Sequence, residues 1–435
     1  MSKIINPSEL LKINSDHLDP RWDWSKQIPA PGRMNVDFEE RVDFTRLHNY
    51  RVARARQALK ESDLGAMLCF DNNNIRYLTS SVIGEWARDK MCRYALFTGN
   101  TDPYLWDFGS AAEHHRLNNP WFEKDHWRAG MLGLRGSVSE DAGLFASAAK
   151  EIADLLRSEG VADMPLGVDV CEPPMLFALQ KEGIEVRDVQ QVMLNARQIK
   201  SMDEIILLNQ SAAMVDGAYH LIAEELKPGK RENEIVAIAN KFLYDNGSDD
   251  VEAINAVSGE RCSPHPHNFT DRMYRPGDQA FFDIIQSFMG YRTCYYRTLN
   301  VCSKTPAQVD AYVKAREWID AAIALVKPGV TTDKIAAVWP RAQDFGFESE
   351  MEAFGLQFGH GLGLALHERP IISRLVSFDN PFELKEGMVF ALETYCPSID
   401  GNGAARIEEE VIVTNDGCRI ITLFPAQTLF VANEY

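Results

Sequence analysis

Gly359-His360-Gly361-Leu362-Gly363-Leu364-Ala365-Leu366-His367-Glu368 is a glycine-rich run that presents one imidazole at its start and a second beside an acid at its end. Glycine at alternate positions lets the backbone approach neighbouring chain closely, so His360 is offered from a tight turn, with His367 further along. Working outward, three apolar segments each carry carboxylates where burial is expected. Phe281-Phe282-Asp283 holds one acid among aromatic residues, and Val389-Phe390-Ala391-Leu392-Glu393 ends on another. In Arg406-Ile407-Glu408-Glu409-Glu410-Val411-Ile412-Val413, period-2 alternation leaves Glu408 and Glu410 on one strand face.

An unpartnered buried carboxylate costs several kcal/mol, so each of these acids needs a partner. Taken singly, each residue reads as a satisfied core polar group. The ordered set of Asp283, His360, Glu393 and a glutamate of the Glu408/Glu410 face reads instead as a metal centre, with nitrogen and oxygen donors suited to iron, manganese, zinc or cobalt.

Composition narrows the class. Of 435 residues, 45% are hydrophobic and 25% charged, which permits a large core in two or three domains and excludes disordered and fibrous chains. With 63 acidic against 45 basic side chains the formal charge is -18, a poor match to a phosphate backbone, so no nucleic-acid partner is expected. The start of the chain lacks a signal-peptide pattern and no apolar run is long enough to span a bilayer, so no membrane association and a cytoplasmic location are expected. Eight cysteines without a CxxC pair argue against a zinc ribbon or a disulfide framework.

Three segments follow in order. Residues 1–43 hold Pro20, Pro29, Pro31 and Gly32 without sustained periodicity and read as an irregular arm. Residues 44–196 alternate helical and strand patterns, with a basic helix at 46–60 and strands at 65–70, 94–97 and 103–106, a mixed α/β domain. Residues 197–435 form a second, α+β domain opening on a long amphipathic run from Ile205 to Glu225. Within it, AYHLIAEELKPGKRENEI (218–235) and WIDAAIALVKPGVTTDKI (318–335) share a helix, Lys-Pro-Gly and a second helix start. That pattern predicts a duplicated half-domain with helices covering a curved sheet and the site between the halves. Two unrelated helix ends sharing a stop signal would read the same way.

These motifs resemble the pita-bread superfamily of methionine aminopeptidase, aminopeptidase P, prolidase and creatinase, over residues 44–425. The resemblance implies an α+β C-terminal pita-bread domain preceded by a mixed α/β creatinase-type domain, assembled as a homodimer. It also implies a two-metal site of five side chains, of which Asp283, His360, Glu393 and Glu408 match four. The second aspartate, in the family's Asp-x-Thr-Arg-Thr, is here Cys294-Tyr295-Tyr296-Arg297-Thr298. A thiolate gives one soft atom where a carboxylate can bridge two ions, so one divalent metal, an altered metal or none is expected. Creatinase resembles the same fold without metal and aligns over Phe281–Leu299 without a gap.

The stretch Asp71–Tyr77, the spacing of Trp86 and Arg93, Leu105-Trp106-Asp107 and the region 258–283 resemble the metal-dependent dimethylsulfoniopropionate lyase branch, which eliminates dimethylsulfide from a small zwitterion. That branch's catalytic aspartate after the ligand histidine is replaced here by Leu366 and His367. The loop Ser258–Asn268 resembles the one carrying the superfamily's proton-shuttling histidine, but the aligned position is Pro266, flanked by His265 and His267. His267, His265 and His367 are therefore the expected catalytic residues, since neutral imidazole both takes and gives protons near neutral pH. Trp86, Trp106, Arg93 and Tyr296 are expected to bind substrate, the rings by cation–π contact and Arg93 by clamping a carboxylate; core or dimer packing is the alternative for each tryptophan. The expected activity is cleavage of a C–S or C–N bond in a small zwitterion. An Xaa-Pro exopeptidase and a catalytically inactive binding protein are the alternatives.

Overall fold

The computed structural model describes residues 42–82, 84, 92–121, 123–131, 136–264 and 266–434. The expected arm lies almost entirely outside them, as do Trp86 and His265. Contacts divide the chain into two units, Met1–Ala196 and Arg197–Tyr435.

The first unit is built on a six-stranded mixed sheet. Its strands are β1 (Ala66–Cys69), β2 (Tyr94–Phe97), β3 (Tyr104–Asp107), β4 (Trp127–Ala129), β5 (Leu166–Val168) and β6 (Val186–Asp188), in the order β4-β3-β2-β1-β5-β6. The basic helix spans Phe44–Lys60 and is capped by Asp43, whose carboxylate accepts from the Thr45 and Arg46 amides at 3.0 Å. The first three strands lie within a residue or two of the spans read from sequence.

The second unit holds a four-stranded and a five-stranded sheet. The first comprises β7 (Asp250–Ser258), β8 (Gln279–Phe288), β9 (Tyr291–Val301) and β15 (Phe430–Ala432), ordered β15-β9-β8-β7. The second comprises β10 (Phe358–Gly361), β11 (Glu368–Ile372), β12 (Val389–Pro397), β13 (Ala404–Val413) and β14 (Cys418–Ile420), ordered β11-β10-β12-β13-β14. The helix Met202–Glu225 contacts β8 and β9, and the helix Pro306–Ala324 contacts β12 and β13. Ala315 and Ile319 of the latter are fully buried in a cluster with Phe390, Leu392 and Ile407, where an Ile side chain contributes roughly 1.5–3 kcal/mol.

The expected duplication has a structural counterpart. Gly229 (φ 91°) donates its amide to Tyr274 O at 3.0 Å, and Gly329 (φ 85°) donates to Leu384 O at 2.9 Å. Three residues on, Glu232 N bonds Arg272 O at 3.0 Å and Thr332 N bonds Phe382 O at 2.9 Å. A positive φ right after Lys-Pro makes glycine the natural residue at both turns. Among the described residues no helix is long and apolar enough to cross a membrane.

The two sheets of this unit meet along β9 and β13. Cys294 N donates to Glu410 Oε1 at 2.7 Å, Tyr296 N to Glu408 Oε2 at 3.1 Å, and Arg406 N to Thr298 Oγ1 at 2.8 Å. On the opposite face of β13, Glu409 is buried between Arg297 and Arg316, each guanidinium 2.9 Å from a carboxylate oxygen. Removing that carboxylate leaves the buried Arg297 without its ion pair and Arg316 with Asp320 alone. Glu409→Gln is expected to destabilise the chain by about 3–5 kcal/mol, read as a lower denaturant midpoint at unchanged m-value.

The glycine-rich turn is shaped by a second buried cluster. A Cβ on Gly363 would lie 2.6 Å from Glu368 Oε2, so glycine there makes room for the acid. Glu368 accepts from Lys200 Nζ at 2.9 Å and the Ala365 amide at 3.1 Å, and pairs with Arg197 Nε at 3.1 Å. Burial pushes its pKa up, but Lys200 and Arg197 outweigh burial and hold the carboxyl below its ordinary value. A depressed folded-state pKa stabilises the fold above the unfolded value, and that contribution is lost as pH falls through the folded one. The urea-midpoint difference between the parent chain and Glu368→Gln is therefore expected to be largest near neutral pH and to shrink through the acid range.

Candidate functional site

Strand register brings the acids together. In β8 and β9, Asp283 lies opposite Tyr296 and Ile285 opposite Cys294. Asp283 and Ile285 share a face, so Cys294 shares it diagonally, and its Sγ donates to Asp283 Oδ1 at 3.4 Å. In the other sheet Glu393 lies opposite Glu408, and His360 lies opposite Ala391, two residues from Glu393. The imidazole and both glutamates therefore take one face. One donor atom each from Cys294, His360 and Glu408 lie within 4.8 Å of one another.

His360 is pre-set for coordination. Its Nδ1 donates to the Gly361 carbonyl at 3.2 Å, since a carbonyl can only accept, and this leaves the Nε2 lone pair facing Glu408 Oε1 at 3.7 Å. Glu408 has no exposed surface, and its Oε1 has no hydrogen-bond partner among the described residues. Asp283 accepts from Asn255 Nδ2 at 3.0 Å. Glu393 forms an ion pair with the Arg406 guanidinium, which also lies 4.3 Å from the centre of the Tyr296 ring.

The electrostatics have one theme. Burial and then Glu393 raise the Asp283 pKa, against hydrogen bonds from Asn255, Tyr296 and Cys294. Burial, Glu393, Asp283 and Glu410 raise Glu408 well above the carboxylate range, with Arg406 opposing. Burial, Asp283 and Glu408 likewise raise the Cys294 thiol. Burial pushes Glu410 up to about 8, against hydrogen bonds from the Cys294 amide and Thr293. Several acids sharing a desolvated space cannot all ionise without a cation, and a divalent ion would reverse each shift. The unpartnered Glu408 oxygen and the oriented imidazole fit such an ion.

The other expected residues divide into two groups. His367 sits over the centre, its ring 4.6 Å from that of His360. One side of it stays exposed, while burial of the rest and then His360 push its pKa down to about 4, so the ring is neutral at neutral pH. His267 lies at an exposed position, where burial and Arg406 lower its pKa and Asp283 raises it, so the charges of the centre act on its ring.

Tyr296, Trp106 and Arg93 depart from the expectation of substrate contact because each is used inside the fold. Tyr296 is 2% exposed and supports Glu408 through its amide. Trp106 is fully buried, stacked on Tyr94 at 4.9 Å, with the Arg128 guanidinium 5.7 Å from its ring centre. Arg93 is buried, with Nε 3.0 Å from Asp107 Oδ2 and Nη2 donating to Ser81 at 2.6 Å. Arg406 was missed as a site residue, although alternation places it on the face of Glu408 and Glu410.

Residues 207–415 match the family model of metallopeptidase family M24. The dimethylsulfoniopropionate lyase DddP of Roseovarius nubinhibens is 25% identical over 400 residues, covering 88% of this chain and 87% of that protein. The Xaa-Pro dipeptidase of Pyrococcus furiosus is 28% identical over 242 residues, 55% of this chain and 67% of that protein. The crystal structure of dipeptidase PepE from Mycobacterium ulcerans has the same fold, with a TM-score of 0.70 at 22% identity over 90% of this chain and 99% of that one. The creatinase-like N-terminal domain and the pita-bread C-terminal domain are thus the architecture of this chain, and residues 207–415 of its C-terminal unit are similar to metallopeptidase family M24.

Proposed function

We propose that the chain is a non-peptidase enzyme of this family that cleaves a C–S or C–N bond in a small zwitterionic metabolite, in the manner of a dimethylsulfoniopropionate lyase or a creatinase. The observation that carries this reading is Cys294, a one-atom donor beside His360 and Glu408, where a two-metal peptidase of this fold would carry a bridging aspartate. The likeness to the lyase also extends over both units. An iron, manganese or zinc ion held by this cluster would polarise a carboxylate or carbonyl of the substrate. His267 removes the proton next to that carboxylate in an elimination, or takes a proton from water in a hydrolysis. His367 serves as the second proton-transfer group from its place over His360, and Arg406 pairs with Glu393. Eight free cysteines accord with a cytoplasmic site of action, and the reading includes a homodimer.

An Xaa-Pro exopeptidase is the second reading, favoured by the dipeptidase likeness of the C-terminal unit. An inactive binding protein is less in keeping with the preserved ligand set. Purified chain supplied with iron, manganese, cobalt or zinc is expected to act on dimethylsulfoniopropionate or creatine. Hydrolysis of Xaa-Pro dipeptides alone, stimulated by manganese or cobalt, would reverse the assignment. His267→Gln is expected to lower kcat by about 10²–10⁴-fold with metal content unchanged, whereas equal losses of metal and activity would remove it from proton transfer.

A further inference from the structure

We propose that the centre takes a single divalent ion, and that the Cys294 sulfur is one of its ligands together with His360 Nε2 and Glu408 Oε1. The inference rests on the metal dependence in the reading above, not on its substrate.

Two independent observations carry it. The three side chains, all buried, come from different strands and place one donor atom each within 4.8 Å of the others. The second observation is the Glu408 oxygen, fully buried and without a hydrogen-bond partner among the described residues, aimed at the imidazole nitrogen 3.7 Å away. A native structure rarely leaves such an atom unsatisfied unless something else occupies that direction.

Each neighbouring acid has an oxygen committed to a protein partner, and what limits the count to one is the lack of a bridging carboxylate. Glu393 is held by Arg406. Asp283 accepts from Asn255 through Oδ2, and from the Cys294 thiol through Oδ1 only while that thiol keeps its proton. Glu410 spends Oε1 on Thr293 and the Cys294 amide, each at 2.7 Å. A second ion would need a bridging group, and the sulfur supplies one donor atom where a carboxylate has two. The thiol loses its proton as the sulfur binds the ion. The sulfur also changes the preference of the site, since thiolate shifts an otherwise nitrogen and oxygen set toward zinc, cobalt and iron and away from manganese.

The test uses the full chain, stripped of metal and titrated with cobalt(II), with bound metal counted after dialysis and the near-ultraviolet spectrum recorded. One equivalent per chain together with a sulfur-to-cobalt charge-transfer band is expected. Cys294→Ser should lose the band and bind cobalt about tenfold more weakly or worse, with the circular dichroism of the metal-free protein unchanged. Cys294→Asp should lose the band and take up a second equivalent. Two equivalents in the parent chain, one equivalent without the band, or no binding would overturn the proposal. A Cys294→Asp variant still limited to one ion would overturn the assignment of that limit to the sulfur. Because no substrate enters this measurement, a correct ion count with no turnover of dimethylsulfoniopropionate or creatine would sink the proposed function alone.

Discussion

The seam between β9 and β13 is the constraint on which the rest of the C-terminal unit depends. Glu408 and Glu410 each accept a backbone amide of β9. The carboxylates thereby join two sheets while their remaining oxygens stay in the interior without hydrogen-bond partners among the described residues. A carboxylate has more acceptor capacity than one amide uses, and the surplus is what the site is made of. Glu409, between them in sequence, points the other way and is neutralised by Arg297 and Arg316. One strand of alternating acids thus supplies a structural ion cluster on one face and the acids of the candidate site on the other.

The residues of the candidate site are also fixed by contacts of their own. Cys294 is held by its own amide as well as by its thiol contact to Asp283. His360 lies in β10, and the glycine three residues on, Gly363, leaves room for the Glu368 carboxylate. The ion pair of Arg406 with Glu393 fixes a positive charge at the edge of an otherwise anionic space, so that the protein itself offsets part of the repulsion among the acids.

Much of the site was legible in the sequence because both governing periodicities are local. Alternation placed Glu408 and Glu410 on one face, and isolated acids in apolar strands marked Asp283 and Glu393 as groups that burial would force into partnership. The same alternation would have marked Arg406, had its side chain been followed across the face it shares with them. Trp106 and Arg93 were harder, because a ring or guanidinium that packs inward and one that meets a ligand have the same sequence signature. Arg93 turned out to have Asp107 as its partner, and Trp106 turned out to stack on Tyr94.

The sequence by itself determined which side chains are chemically able to hold an ion, that a long helix opens the second unit, and that Lys-Pro-Gly recurs in it after a helix. Those follow from residue type, burial and spacing along one strand or helix. Only the tertiary structure decided that Cys294 lies with His360 and Glu408, that Glu393 is taken by Arg406, and that Tyr296 supports the site from beneath. Each of these is a contact between segments far apart in the chain, set by strand register and by competition among buried charges, and neither quantity is written in any single stretch of residues.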